Sequence, residues 1–533
     1  YREQLVVLLF CILFVAVQLP ILAEFPFVHS DESWLSGLSR TMLHEADITA
    51  TEYFFDAYER NPHALKLLFH LLQMLWITLF GYSLFALRLL SLIAGAATLF
   101  LLQRVIRHMG GSRFFSLCGM CFAAFDIQFI YASHTIRQEM FLLLLSVGGI
   151  YLVVRGLSSG GVRSGSFHDI AGGLLTGLAL GFHPNAVMLV IPVIAVYGYF
   201  RLSGTPVSRR KPLLFLLSAA AAGALFLLIS IIENPSFFTD YLRYGATLGV
   251  TESLGVKISR LPDFYRKIFH RVSGTYYMPP VRVQFFWYAG IVVAVVTALA
   301  AERFRGKRSS SRLPLAALLP GMAGLQLAYA AIGRYGQPSV ILNLPLAVIV
   351  SALLLSSLSG ERGGWPGVLS RSAGILYTVL ILGVGISAIG SEIQRNSSYA
   401  DYREGILTAI PGDRAVLANL NSEFFFDYGS LSDWRNIGSI AGEGGDFAGY
   451  IEERKIEYII YPEEIDFIYQ SRPVWNGIYG NIAPIYEEMQ QFLRQRCELV
   501  AVFSSRTYAM RIVRYQQEES WEVSIYRVLD ASR

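Results

Sequence analysis

Residues 5–32 read LVVLLFCILFVAVQLPILA-EFPFVHSDE, nineteen apolar-dominated positions followed by a short exit and the acidic pair Asp31-Glu32. At about 1.5 Å per residue a helix over the first part is long enough to cross a bilayer core. The two carboxylates then emerge at a membrane surface, within reach of a lipid-borne headgroup. The apolar run exceeds a secretory h-region and many further runs follow, so a retained first helix is expected. The Asp31-Glu32 pair is the first catalytic candidate. The bland alternative is that Ser30-Asp31-Glu32 only starts a helix, as an N-cap with acidic first-turn residues.

The surrounding composition agrees with a membrane setting. Of 533 residues 53% are hydrophobic and only 16% charged, with a mean hydropathy of +0.45. A soluble domain carries roughly a quarter charged residues, so lipid must replace water over much of this surface. The expected fold class is a polytopic α-helical membrane protein. The net charge is only +4, and the basic residues form short clusters between apolar runs. That pattern sets membrane topology and excludes nucleic acid as a partner. Cys11, Cys118, Cys121 and Cys497 are assigned no chemistry, because the Cys118-x-x-Cys121 spacing lacks partner ligands.

Further apolar runs lie near 64–107, 114–131, 140–154, 169–200, 212–232, 284–301, 313–332, 338–358 and 373–390. Arg104, Arg107 and Arg113 begin a series of basic clusters that continues at Arg155 and Arg163, Arg201 to Lys211, Arg303 to Arg312, and Arg362 with Arg371. The positive-inside rule makes these cytoplasmic. Residues 24–63, 131–139, the His183-Pro184-Asn185 break, 233–283, 333–338 and everything after about 391 are then external. Residues 64–107 must make an odd number of crossings, so one span over 86–107 is expected after a shorter interfacial or re-entrant helix at 64–80. The total is about eleven spans.

Three external stretches carry the chemistry. Loop 24–63 reads as two short amphipathic helices lying on the membrane surface, through the spacing of Trp34, Leu35, Leu38, Met42 and Leu43. Tyr131 to Met140 places His134, Arg137 and Glu139 where a span meets the external face, a position at which ionisable groups are paired or functional. An Arg137–Glu139 structural pair is the bland reading there. Loop 233–283 is rich in Lys and Arg, and Arg334 and His183 stand at helix breaks. External cations near a lipid surface suit phosphate.

In this order the motifs resemble the GT-C fold glycosyltransferases of the protein-mannosyltransferase and aminoarabinose-transferase families. The matching pieces are Asp31-Glu32-Ser-Trp-Leu-Ser-Gly-Leu-Ser-Arg-Thr-Met-Leu, Asn61-Pro62, Phe80-Gly81, Arg88-Leu-Leu-Ser-Leu, Tyr131 to Met140, His183-Pro184 and Gly333 to Pro338. The resemblance implies transfer of a sugar from a polyprenyl-phosphate donor to a lipid, glycan or protein acceptor, usually with inversion, on the external face of a bacterial inner membrane. It implies Asp31 as general base or acceptor-orienting group, with Glu139 as a second carboxylate that assists catalysis. Glu32, Arg60, His63, Lys66, His134, Arg137, His183 and Arg334 are the candidate substrate-binding residues. The chain departs from the aminoarabinose transferases at Asn61, where they place a Lys, so the same sugar is not implied.

The residues support this chemistry by themselves. A carboxylate in hydrogen-bond reach of an acceptor hydroxyl takes its proton as the bond forms, and cations stabilise the departing lipid phosphate. No Gly-rich phosphate loop or Asp-x-Asp motif calls for a nucleotide sugar. No ligand cluster demands a metal, although Asp31 and Glu139 could share a divalent cation. Two domains are expected: 1–390 in the membrane, and 391–533 as a small extracytoplasmic α/β domain with strands at 415–420, 458–461, 499–503, 508–513 and 523–527 and helices at 446–454 and 485–496. The rival function is a transporter or flippase of a lipid-linked saccharide. It predicts charge along the middle of several helices and an internal repeat, whereas the charge here gathers at one surface. A glycan polymerase or ligase shares the chemistry and differs in acceptor.

Overall fold

The structure is a computed structural model that describes residues 2–55, 62–158, 162–247, 249–269, 281–304, 312–333, 337–360, 364–395, 398–509 and 520–529. Among these, nine helical stretches are long and apolar enough to cross a membrane, and ten if one bent pair counts as a single span. The chain is an integral membrane protein built mostly of helices.

The first elements are α1 (Arg2–Gln18), α2 (Ser30–Glu45), α3 (Leu67–Phe80), α4 (Leu84–His108), α5 (Arg113–Ala124), α6 (Ile127–Ser133), α7 (Glu139–Ser158), α8 (Val162–Leu178), α9 (Val190–Leu202) and α10 (Arg210–Glu233). Helix α3 has 14 residues, too few to span, and α4 has 25, which is the division expected for 64–107. The run at 114–131 is bent by 64° between α5 and α6, where Asp126 caps α6 through the amides of Gln128 and Phe129.

One of the eleven expected spans is not among the nine or ten. It is α8, whose 17 residues include Arg163, His168, Asp169 and four glycines. Those glycines serve packing rather than hydropathy. A Cβ on Gly173 would lie 2.3 Å from the Phe215 carbonyl oxygen, and one on Gly177 2.3 Å from that of Ala219. The α8 backbone therefore lies directly on α10, as small residues at four-residue spacing allow.

The stretch 24–63 also differs from expectation. Its described residues form one amphipathic helix, α2, and a 3-10 turn at Tyr53–Phe55, and α2 is enclosed instead of lying open on a surface. Its Ser33, Ser36, Gly37, Ser39 and Thr41 are all buried. These small residues let neighbours approach: a Cβ on Gly37 would meet Phe54 Cε1 at 2.4 Å. On one side Ser39 Oγ lies 2.8 Å from His70 Nδ1 and donates to Gln73 Oε1 of α3 at 2.6 Å.

The opposite side of α2 meets residues 423–428 of a C-terminal unit whose five-stranded sheet has the order β2-β1-β3-β5-β4, with β1 Val416–Ala418, β2 Leu431–Asp433, β3 Tyr458–Pro462, β4 Cys497–Ser505 and β5 Trp521–Val528. β1 runs parallel to β2 and β3, and β5 pairs antiparallel with both β3 and β4. Side chains alternate across the strands. Val416, Ala418, Ile460, Val523 and Ile525 join Phe27, Phe54, Leu84, Leu87 and Ile136 in one core shared with the membrane helices. Leu417, Ile459 and Tyr461 face a second core with Trp434, Phe447 and Met489. Helices expected at 446–454 and 485–496 appear as Phe447–Glu453 and Tyr486–Arg496. The strand expected at 508–513 falls mainly outside the described residues, and its first two, Tyr508 and Ala509, form a turn.

Candidate active site

Helix α2 begins on an unusual cap. His29, rather than Ser30, holds the N-cap position: its Nδ1 accepts from the Asp31 amide at 3.0 Å, and Glu32 Oε1 accepts from the His29 amide at 3.1 Å. This reciprocal arrangement is a capping box. Successive residues of a helix point about 100° apart, so the cap sends the two neighbouring acids in different directions.

Glu32 turns inwards and is fully buried beside an equally buried Arg88 of α4. Arg88 donates to its two oxygens at 2.9 and 2.7 Å, and to the carbonyls of Leu22 and Pro26 at 2.9 Å each. Glu32 also accepts from the Ile136 amide at 3.0 Å. The pair ties the exit from α1, the start of α2 and the turn before α7 into one unit. Expected on the substrate, Glu32 is instead the hub of this framework. His134 is likewise fully buried, with Nδ1 2.8 Å from the Phe25 carbonyl, so it holds the same framework and reaches no open surface.

Asp31 turns the other way, towards Arg137, whose guanidinium pairs with it. The same guanidinium binds Glu139 Oε1 at 2.9 Å through Nη2, and Nε lies 3.2 and 3.3 Å from the two Glu139 oxygens. Two acids from distant segments thus share one cation. Asp31 is the most open of the three: the side chains of Asp31, Arg137 and Glu139 are 21, 11 and 7% exposed. Glu139 is the first residue of α7, where the helix dipole favours an anion.

Aromatic packing brings further candidates to this end of the bundle. The Phe141 ring of α7 lies 5.7 Å from Phe69 of α3 and 5.8 Å from Phe182. Lys66, at the N-cap of α3, and His183, next to Phe182, are therefore carried on segments that meet the start of α7. His183 Nδ1 accepts from the Asn185 amide at 3.1 Å, and Asn185 donates to Ser339 at 3.1 Å. The His183 break thus adjoins the 3-10 segment Gln337–Asn343. His63 lies 6.3 and 6.0 Å from the Phe237 and Tyr241 rings. Arg60 and Arg334 lie outside the described residues. Among the described residues no group of three or more His, Cys, Asp or Glu side chains forms a metal cluster.

Sequence reasoning assigned no role to Arg88 or His29. Arg88 had a signal: a lone Arg inside an apolar run must be paired. Lys257, nearly buried, donates to the Ala331 carbonyl at 2.7 Å, which puts one cation of the basic 233–283 loop at the end of the helix before Gly333.

The opposite end of the bundle is basic. Glu3 pairs with Arg107 at 2.9 Å and Arg113 at 3.2 Å, and the Met109 carbonyl accepts from Tyr199 at 2.6 Å.

A bundle of this kind, with its acids at one end beneath a mixed sheet, defines a polytopic membrane protein of the GT-C fold, and the comparisons with known proteins agree. The sequence profile described as dolichyl-phosphate-mannose-protein mannosyltransferase matches residues 63–232. No curated protein matches the chain in sequence. Among solved structures, ArnT from Cupriavidus metallidurans in the apo state is similar with a TM-score of 0.54 at 14% identity, over 97% of each chain. The same protein bound to undecaprenyl phosphate is similar at 0.52 and 14%, over 96% of this chain and 97% of that one. The Archaeoglobus fulgidus oligosaccharyltransferase, in complex with Zn and sulfate, is similar at 0.53 and 13%, over 88% of this chain and 69% of that one.

Proposed function

We propose that this chain is a membrane glycosyltransferase that moves a sugar from a polyprenyl-phosphate donor to a lipid, glycan or protein acceptor. The observation that carries the proposal is the convergence of Asp31 and Glu139 on Arg137 at one end of the bundle. Asp31, the more open acid, is the general base. It takes the proton of the acceptor hydroxyl as the oxygen attacks the anomeric carbon, while the bond to the lipid phosphate breaks on the far side of the sugar. A single displacement of this kind inverts the anomeric centre. Glu139 holds Arg137, and Arg137 orients Asp31.

The leaving phosphate gains negative charge and needs cations in place beforehand. Lys66 supplies one from the segment that meets the start of α7, His63 and His183 add ring N–H donors, and Arg60 and Arg334, which lie outside the described residues, are proposed to join them. The basic clusters at the other end support a cytoplasmic placement of that end. The reaction end and the sheet then face the outside of a bacterial inner membrane. The sheet supports α2 and lies where an acceptor approaches.

The test compares cells carrying wild-type protein, Asp31→Asn or no protein, by mass spectrometry of their glycolipids and glycoproteins. One glycosylated product should be present with the wild type and absent from the other two, with the variant inserted at wild-type amounts. Full product in Asp31→Asn cells rejects Asp31 as base.

A further inference from the structure

Two carboxylates at a reaction centre are the usual means of holding a divalent cation, and Asp31 with Glu139 has that composition. The geometry shows what fills the place between them. The Arg137 guanidinium contacts Asp31 through Nη1, and reaches Glu139 through Nη2 at 2.9 Å and Nε at 3.2 Å. A planar guanidinium offers donors on two edges, so one side chain can serve two carboxylates at once. Arg137 is held there by its own turn, since its amide donates to the Thr135 carbonyl at 2.9 Å and Glu32 grips the Ile136 amide beside it.

A metal ion on the same oxygens would have to displace a tethered cation of unit charge. A hard divalent cation takes six or more oxygen ligands, of which protein carboxylates supply one or two in a typical Mg²⁺ site. Here the two available carboxylates are already neutralised in part by the chain itself, and the His29 ring beside Asp31 has its near nitrogen, Nδ1, 3.6 Å from Oδ1, taken by the Asp31 amide. The site does not fit a resident divalent cation.

We infer that Arg137 is a built-in substitute for a divalent metal: it positions Asp31 and Glu139 in the resting protein, and loss of its charge turns the two acids into a divalent-cation site. The inference rests on these acids forming the reaction centre, but its test uses no substrate, so it fails or stands apart from the glycosyl-transfer proposal. It also predicts that metal does not restore catalysis to the metal-stripped wild type, because none is lost.

The probe is Mn²⁺ added to the full chain in detergent, with bound ion counted from the loss of the free-ion electron paramagnetic resonance signal. Wild type and Arg137→Lys, which keeps the charge, should bind no Mn²⁺ that depends on Asp31. Arg137→Gln should bind one equivalent, and Asp31→Asn/Arg137→Gln should lose it. The thermal unfolding temperature of Arg137→Gln alone should rise with Mn²⁺, a gain expected of any ligand that binds only the folded state. Stoichiometric Mn²⁺ on the wild type that disappears in Asp31→Asn overturns the inference. So does an Arg137→Gln protein, shown folded by a wild-type elution profile, that binds no more Mn²⁺ than the double variant.

Discussion

Adjacent acids with opposite consequences give the sharpest prediction. Replacing Glu32 by Gln keeps the shape of the side chain but removes a charge that sits fully buried against Arg88. Glu32 accepts from four donors: the His29 amide, Arg88 Nε and Nη2, and the Ile136 amide. A glutamine carries one acceptor oxygen and one NH2, so part of this donor set would face another donor. Arg88 would remain without its counter-charge in an apolar surround, since its other partners are carbonyls. Breaking a buried pair by removing one member costs about 3–5 kcal/mol, against total stabilities of about 5–15 kcal/mol. Thermal unfolding in detergent should therefore fall by about 3–4 °C, at roughly 1.1 kcal/mol per kelvin for a chain of 533 residues, with less protein in the monodisperse peak. A double-mutant cycle with Arg88→Gln should show coupling of at least about 1 kcal/mol. Asp31→Asn, one residue away, should leave the melting curve in place and remove activity. An unchanged Glu32→Gln melt, with no coupling to Arg88, would refute the assignment of Glu32 to the framework.

Three other outcomes are expected. Gly37→Leu puts a side chain where Phe54 already stands 2.4 Å from the ideal Cβ; it should lower the unfolding temperature more than Ser30→Leu at the start of the same helix, by differential scanning fluorimetry. Gly177→Val should separate α8 from α10, where the Ala219 carbonyl leaves no room, and reduce the yield of folded protein measured by fluorescence-detected size-exclusion. Burial pushes the Glu423 carboxyl up from 4.5 to about 7 against the pull of Arg40. Because the folded state then holds a proton that the unfolded chain has lost, this group's contribution to stability falls as pH rises from about 4.5 to 7. Glu423→Gln should flatten that fall in unfolding temperatures measured across the interval, and an unaltered slope would clear Glu423 of it.

What the sequence disclosed follows from which signals are periodic or long. The apolar runs and the division of 64–107 into a short and a long helix were readable, because length against bilayer thickness decides them. Asp31 and Glu139 stood out as acids at span ends. The inward turn of Glu32 was not readable, because a helix rotates about 100° per residue and the phase is set by the His29 cap, a residue type seldom expected there. The tight seating of α8 was not readable, because its Gly173 and Gly177 belong to a helix contact that only the partner, α10, reveals. β2 was missed because its three residues are too few to show alternation; its place beside β1 is set by burial of Leu431 in the core shared with the bundle.

That shared core changes the standing of the sheet. Helix α2 carries the proposed base, Asp31, and is held from both sides. Ser39 bonds His70 and Gln73 of α3. Opposite, Arg40 donates to Glu423 at 2.9 Å and to the Phe426 carbonyl at 3.2 Å, and Glu45 accepts from Tyr428 at 3.0 Å. The Val28 amide, just ahead of the cap, donates to Tyr508 at 3.0 Å. Tyr82, between α3 and α4, stacks on Phe424 at 5.2 Å and receives the Arg40 guanidinium at 4.5 Å. A loop merely resting on a membrane would let Asp31 wander by more than the fraction of an ångström that general-base catalysis tolerates. The buried serines and Gly37 of α2 serve that precision, since only a helix with small faces can be clamped so closely on two sides. The sheet is therefore part of what positions Asp31, whatever it contributes to the acceptor.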